Sequence, residues 1–357
     1  MASGSERDAA GLTYAGVGVD IAAGERAVEL IKGHARSTMR PGVLGSLGGF
    51  GGLFDLGALD YRDPLLVSST DGVGTKSVLA WTTGRYDTIG IDLVGTADDI
   101  AAQGADPLFF FDYLSMGHLV PDVAATIVGG IAQGCRQAGC ALLGGEMSEH
   151  PQLMAPGEFD LVGFAVGAVE RDEVLPREVS MGDAIVGIAS PGLRCNGYSL
   201  ARRALLDHAG RSLDAPAWEG ASTSLADELL RPSVIYAPVL ATLRAGVAVH
   251  AFAHITGGGL PGNLNRVLPA DADARVRRSR WREPEIFGEV QRAGAIADSE
   301  MESVFNLGIG MAVVLPAGDA ERAVEIVNGA GHDAWIIGDV TAGTGVVHVE
   351  RSAGSAT

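Results

Sequence analysis

Long apolar runs are missing from this chain. No uninterrupted stretch approaches the roughly 18 to 20 residues that a membrane-spanning helix needs, so no membrane role is expected. Cysteine is scarce. Cys135, Cys140 and Cys195 lack metal-ligand spacing, and an odd number leaves one thiol over in any disulfide scheme. Reduced thiols in a reducing compartment are the expectation. Positive charge is short too, with 26 Lys and Arg against 44 Asp and Glu and a net charge of −18. Such a field opposes non-specific nucleic-acid binding, whose affinity comes largely from neutralising phosphates. It leaves room for a small anionic ligand, because a few local donors outweigh a distant field. The polar first residues carry no basic segment followed by an apolar core, so no secretion signal is read and a cytoplasmic location is expected.

What the chain has in excess is glycine, 51 in 357 residues, about twice the usual ~7%. The glycines cluster after short apolar runs, where backbone can come close to a ligand. At this length two domains, or one large one, can each bury a core. The central stretch is Ser68 to Lys76: Leu65-Leu66-Val67 reads as a buried strand, followed by a loop with Thr70, Asp71, Gly72, Gly74, Thr75 and Lys76. A carboxylate, glycines, hydroxyls and a lysine at a strand end suit a metal-bound phosphate. The spacing is not that of a P-loop, which needs Gly-x-x-x-x-Gly-Lys-Ser/Thr opening a helix. An ordinary turn would read the same way.

Ala22 to His34 has a helical apolar stripe with Asp20 as N-cap, and Lys32 near its end reads by itself as a surface lysine. Gly48, Gly49, Phe50, Gly51 and Gly52 form a glycine-rich loop, either a phosphate cover or a hinge. Asp87 to Ala105 reads as one helix. Asp92, Asp99 and Gln103 gather beside its packing face while Asp98 points further out, which suits either a cation or a solvated face. A second strand, Cys140 to Leu143, runs into Gly144-Gly145-Glu146, repeating the first design. In the second half, Arg194, Asn196, Gly197, Tyr198 and Ser199 precede a helix from Leu200, a candidate anion site or simple caps. Thr256-Gly257-Gly258-Gly259 opens another helix after the strand Val249 to Ile255, and Val234 to Ala245 is a helix. The alternation predicts an α/β (α+β) protein of two domains meeting near residue 175.

Taken together, these motifs resemble the phosphoribosylformylglycinamidine cyclo-ligase (AIR synthetase) family over about residues 13 to 350. The resemblance rests on Tyr14 to Asp20, Gly48 to Phe54, Ser69 to Lys76, Gly90 to Val94, Gln103 to Phe109, Gly144 to Glu146, Asn196 to Leu200, His254 to Gly259 and Phe305 to Met311. It implies an N-terminal ATP/Mg²⁺-binding and dimerisation domain (13–172) whose copies form a shared β-barrel in a homodimer. It also implies a C-terminal α+β domain (173–350). Residues 1–12 read as a disordered N-terminus and 351–357 as a disordered tail. The implied reaction uses ATP and Mg²⁺ to close the imidazole ring of a phosphorylated ribonucleotide. Carried over, Lys32 and Gly48 to Gly52 would meet ATP phosphates, together with Thr70, Asp71, Gly72 and Gly74. Asp71, Asp92, Asp99 and Glu146 would hold Mg²⁺, and Lys76 would balance phosphate charge. Arg194, Asn196 to Ser199 and Thr256 to Gly259 would bind the substrate, with Lys32, Asp71, Lys76 and Arg194 as the catalytic set.

Two positions depart from the family pattern. Met147 stands where a threonine is usual, and Arg194 where a histidine is usual. Arginine stays charged and shuttles no proton at neutral pH. A divergent paralogue that phosphorylates and cyclises a different amide or amidine is therefore the first alternative, and an inactive dimeric scaffold the second. Selenophosphate synthetase and thiamine-phosphate kinase share the superfamily without explaining the full-length match.

Overall fold

The computed structural model describes residues 13–45 and 48–351. The expectation of disorder over 1–12 lies outside them, as do 352–357. Arg351, assigned above to a disordered tail, is instead held by Glu302 at 2.8 Å and Asp298 at 3.0 Å.

Helix α1, Ile21–Arg36, starts where predicted: the Asp20 side chain accepts from the N–H groups of Ala22 and Ala23. Two short strands follow, β1 (Val43–Leu44) and β2 (Leu53–Phe54), paired antiparallel around the glycine-rich loop. Next come β3 (Pro64–Gly72), α2 (Lys76–Thr83), α3 (Ile89–Val94), α4 (Ala97–Ala102), β4 (Asp106–Met116), α5 (Pro121–Ala138), β5 (Ala141–Glu149) and β6 (Phe159–Glu170). The four long strands form one sheet in the order β3-β6-β4-β5, parallel only between β4 and β5. Helices α3, α4 and α5 cover one face, burying Leu93, Ile100, Ile127 and Ile131.

Two sequence expectations fail here. The strand entering the central motif is not buried and does not stop at Val67. It is an edge strand that continues through Asp71 to Gly72, with Leu66 66% exposed. Likewise β5 carries Gly144, Gly145 and Glu146 within the ladder rather than in a loop after it. The two glycines are there for packing: a Cβ on Gly144 would lie 2.6 Å from the Phe111 ring.

The predicted helix from Asp87 to Ala105 is broken in two. Thr96 Oγ1 donates to the Leu93 carbonyl, and the N–H groups of Asp98 and Asp99 bond three residues back, to Gly95 and Thr96. That tighter winding changes the rotation per residue. Asp98 consequently points inward, with no exposed surface, rather than outward.

The second half holds β7 (Asp183–Ala189), α6 (Tyr198–Arg202), α7 (Leu225–Leu229), α8 (Ala237–Gly246), β8 (Ala251–His254), α9 (Gly259–Leu264) and β9 (Ala272–Arg277). It continues with α10 (Glu285–Gly294), α11 (Asp298–Val304), β10 (Ile309–Pro316), α12 (Ala320–Gly329), β11 (Ala334–Ala342) and β12 (Val347–Glu350). Its six strands run β12-β9-β11-β7-β10-β8, antiparallel except for β12 against β9. The helix expected from Val234 begins at Ala237. Residues 231–236 are instead a strap without regular secondary structure against α3 and α4. No described helix is long and apolar enough to cross a membrane.

Candidate active site

The predicted site residues fall into three places. The first is a cavity of about 310 Å³ lined by Gly48, Gly49, Phe50, Gly51 and Gly52 on one side and by Gly144, Gly145, Glu146 and Met147 on the other. Lys32 lines a neighbouring cavity with Arg36, Gly51 and Gly52, where it pairs with Glu29 at 2.5 Å. The first cavity is also lined by the buried Asp112, which sequence reasoning missed. Burial pushes its carboxyl up to about 7.

The second place is a cavity of about 460 Å³ between the two sheets. Ser69, Thr70, Asp71 and Asp99 face His254, Thr256, Asn263 and Arg266 across it. Asp71 Oδ1 accepts from the Gly72 N–H at 2.8 Å. Burial and the neighbouring Asp99 charge raise the Asp71 carboxyl, the Gly72 bond partly opposing them. Burial also works against ionised Asp99, but His254 at 2.7 Å, the Ser69 hydroxyl at 3.1 Å and Arg194 together hold it below the usual carboxylate range. Asn263 Nδ2 donates to the carbonyls of Thr256, Gly257 and Gly259 and so shapes the glycine loop. Gly259 has φ of +60°, and a Cβ there would lie 1.9 Å from the Glu302 carbonyl oxygen. Neither a bulky side chain nor a looser turn fits that position.

The third place is the contact between the halves, and it takes residues away from any cavity. Lys76, expected to meet phosphate, has no exposed surface. Its Nζ lies 2.6 Å from Asp92, donates to the Arg231 carbonyl at 2.7 Å and sits 5.5 Å from the centre of the Tyr198 ring. Asp92, expected to hold metal, is buried in that pair and accepts from the N–H and hydroxyl of Ser233. Tyr198 is buried as well, its hydroxyl donating to the Leu229 carbonyl at 2.6 Å. Ser199 meets Thr75 at 3.0 Å, and Asn196 lies near Gly257. Gly74, with φ of +55°, and Gly197, with φ of +75°, are turn positions beside this contact. Arg194 is only 5% exposed, enclosed by Asp98, His254, Val234 and Tyr236 rather than open to a ligand.

The four carboxylates expected to share one metal are therefore not gathered. Among the described residues no group of three or more His, Cys, Asp or Glu is arranged to hold an ion. Asp71 pairs across the sheet with Gly163, then Asp112, then Gly145, so Glu146 lies three strands away and projects from the opposite face. Three strand spacings are about 14 Å. Asp71 and Asp99 remain together; Asp92 and Glu146 do not join them. His254 was visible in the sequence only as part of a motif and Asn263 lay unmarked in the helix after it, with no periodicity to mark them as partners of Asp99 and the loop.

Comparison with known proteins bears on the whole chain. Residues 55–169 match the family described as AIR synthase related protein, N-terminal domain, and residues 180–350 its C-terminal domain. A phosphoribosylformylglycinamidine cyclo-ligase of Anaeromyxobacter sp. (strain Fw109-5) is 51% identical over 336 residues, covering 94% of this chain and 97% of that one. One from Geobacillus kaustophilus is 48% identical over 335 residues, covering 93% and 96%. Among solved structures, hydrogenase maturation protein HypE in complex with ATP superposes with a TM-score of 0.65 at 20% identity, over 91% of each chain. Thiamine-monophosphate kinase from Stenotrophomonas maltophilia gives 0.64 at 20% identity, over 90% and 96%. These two show a shared fold.

Proposed function

The chain belongs to the AIR synthase related family, and we propose that it is an ATP-dependent cyclo-ligase converting formylglycinamidine ribonucleotide to aminoimidazole ribonucleotide in purine biosynthesis. The observation that carries this reading is near-full-length identity of about half to proteins of that name. The chemistry asks little covalent work of the protein. The formyl amide oxygen attacks the γ-phosphorus of ATP and ADP departs. The amidine-side nitrogen then attacks the formyl carbon, and the oxygen leaves as inorganic phosphate. An amide oxygen is a poor leaving group, whereas its phosphate ester leaves readily, and both reacting ends already share one molecule. What remains is to hold phosphates, neutralise charge and exclude water.

The chain's own residues divide those tasks. Gly48 to Gly52 and Lys32 border the first cavity and its neighbour and would receive ATP. Thr256, with the glycine loop it opens, and Arg266 would take the anionic ribonucleotide at the second. Asp71 and Asp99 fit Mg²⁺: they are two hard oxygen donors facing one cavity, and the charge of one raises the cost of ionising the other. Mg²⁺ is typically bound by one or two carboxylates plus waters and substrate phosphates. Bound there, it would offset phosphate charge.

A homodimer is part of the reading. On the sheet face opposite α3 to α5, Leu66 is 66%, Phe164 43% and Val162 38% exposed, an apolar strip that a second copy would cover. Glu146 projects from that same face, so pairing would bring one copy's Glu146 toward its partner. A domain division near residues 172–173 and a cytoplasmic location complete the proposal. The experiment is direct: incubate the protein with ATP, Mg²⁺ and formylglycinamidine ribonucleotide and assay the aminoimidazole product. ATP binding with no product would favour a paralogue acting on another amide. Neither ATP binding nor turnover would favour the scaffold.

A further inference from the structure

Arg194 occupies the turn between β7 and α6 with φ of +63°, a left-handed conformation in which a non-glycine side chain is strained. Its guanidinium nevertheless makes three hydrogen bonds and one aromatic contact. It lies 4.9 Å from the Tyr236 ring centre and donates to the Val234 carbonyl at 2.7 Å, to Asp98 Oδ2 at 3.2 Å and to His254 Nε2 at 2.9 Å. Asp98 is anchored in turn by the N–H groups of Tyr236 at 2.7 Å and Ala237 at 3.0 Å.

A guanidinium has only donors. His254 Nε2 facing Arg194 must therefore accept, which leaves the ring proton on Nδ1. That nitrogen is 2.7 Å from Asp99 Oδ1, so it donates there, while Ser69 donates to Asp99 Oδ2. The direction of every bond in the chain Asp98–Arg194–His254–Asp99 is fixed from both sides of the ring, by a guanidinium that only donates to Nε2 and an ionised carboxylate that only accepts from Nδ1. Asp98 and Arg194 are buried inside, and Asp99 is the end that reaches the cavity shared with Asp71.

We propose that Arg194 is a positioning residue: acting through His254, it fixes the orientation of the Asp99 carboxylate in the cavity wall. It contacts no substrate. The inference rests on the reading of Asp71 and Asp99 as the pair that serves the metal-bound phosphates. A histidine at position 194, as in the usual family pattern, can accept as well as donate and lacks the fixed charge and the fork of donors that tie His254 Nε2 to Asp98 and Val234 here.

The test begins with the wild-type protein labelled with nitrogen-15 in histidine. The His254 imidazole should show a protonated Nδ1 and an unprotonated, hydrogen-bonded Nε2. A protonated Nε2 overturns the proposal without any variant. The double variant Arg194→Met/Asp98→Asn then removes both charges of the buried pair, so neither is left unpaired. In it the His254 Nε2 signal should shift to that of a nitrogen without the Arg194 hydrogen bond, while Nδ1 stays protonated against Asp99. The Mn²⁺ concentration that half-saturates the ATP-loaded protein should rise roughly tenfold, the lower end of the range for losing an outer partner of a metal ligand. The KM for the ribonucleotide should stay within about twofold. Unchanged imidazole signals, or an unchanged Mn²⁺ requirement, would show that Arg194 does not hold Asp99. Should the variant not fold, the wild-type spectrum decides. Absence of Mn²⁺ binding by the wild-type protein would defeat the metal reading instead, and the imidazole signals of the two proteins would then decide the role of Arg194.

Discussion

Replacing Lys76 with methionine separates the two meanings this residue can have. As a phosphate-facing cation it should leave stability alone and weaken ATP binding. Its position says the reverse, since neither Lys76 nor Asp92 exposes any side-chain surface and Nζ sits 2.6 Å from the carboxylate. Methionine keeps the stem length and removes the charge, leaving Asp92 with only the two Ser233 bonds. Breaking a buried pair from one side costs about 3–5 kcal/mol. The loss has a ceiling, because an unpaired carboxylate escapes by taking up a proton. For an ordinary aspartate that costs about 4 kcal/mol at pH 7 and about 1.5 kcal/mol at pH 5. Urea unfolding of Lys76→Met should therefore show a deficit of about 3–4 kcal/mol at pH 7 that falls by more than half at pH 5. Lys76→Met/Asp92→Leu should recover most of it. Calorimetric ATP affinity of the folded variant should match wild type within about twofold, set against the roughly 1.4 kcal/mol that a tenfold change represents. Wild-type stability combined with a tenfold loss of ATP affinity would refute the structural assignment and return Lys76 to the phosphates.

Three further outcomes follow from the same geometry. Asp112, raised by burial to about 7, binds more protons folded than unfolded between about pH 4 and pH 7, so its contribution to stability falls as pH rises through that window. Asp112→Asn should flatten the decline by up to about 4 kcal/mol, and an unchanged pH slope in denaturation would contradict the burial argument. Asp20→Ala removes the acceptor for two N–H groups at the start of α1 and should cost about 1 kcal/mol; no loss would mean the cap is dispensable. Phe164→Asp, on the half-exposed sheet face, should convert a dimer to monomers in sedimentation with little change in thermal midpoint, whereas an intact dimer would place the interface elsewhere.

Features of the fold that are local in cause are legible in the sequence. The Asp20 cap needs only its own helix, and the alternation of strands and helices needs only hydrophobic period. The failures share a different cause. The rotation of Asp98 depends on Thr96 bonding back to Leu93, a competition between side chain and helix that periodicity cannot see. The burial of Lys76 depends on a strap more than 150 residues away. Gly144 reads as backbone made available to a ligand, yet its lack of a side chain makes room for Phe111. Motifs locate the wall of a site; only the fold shows which of their residues face inward from it.

The central claim is that the formyl oxygen becomes a phosphate ester before the ring closes. Formylglycinamidine ribonucleotide carrying oxygen-18 in the formyl group tests it in one turnover experiment. The label should leave in inorganic phosphate, one labelled phosphate for each aminoimidazole ribonucleotide and each ADP. Label recovered in water, with unlabelled phosphate, would mean that ATP is hydrolysed beside the cyclisation rather than through it, and would contradict the account.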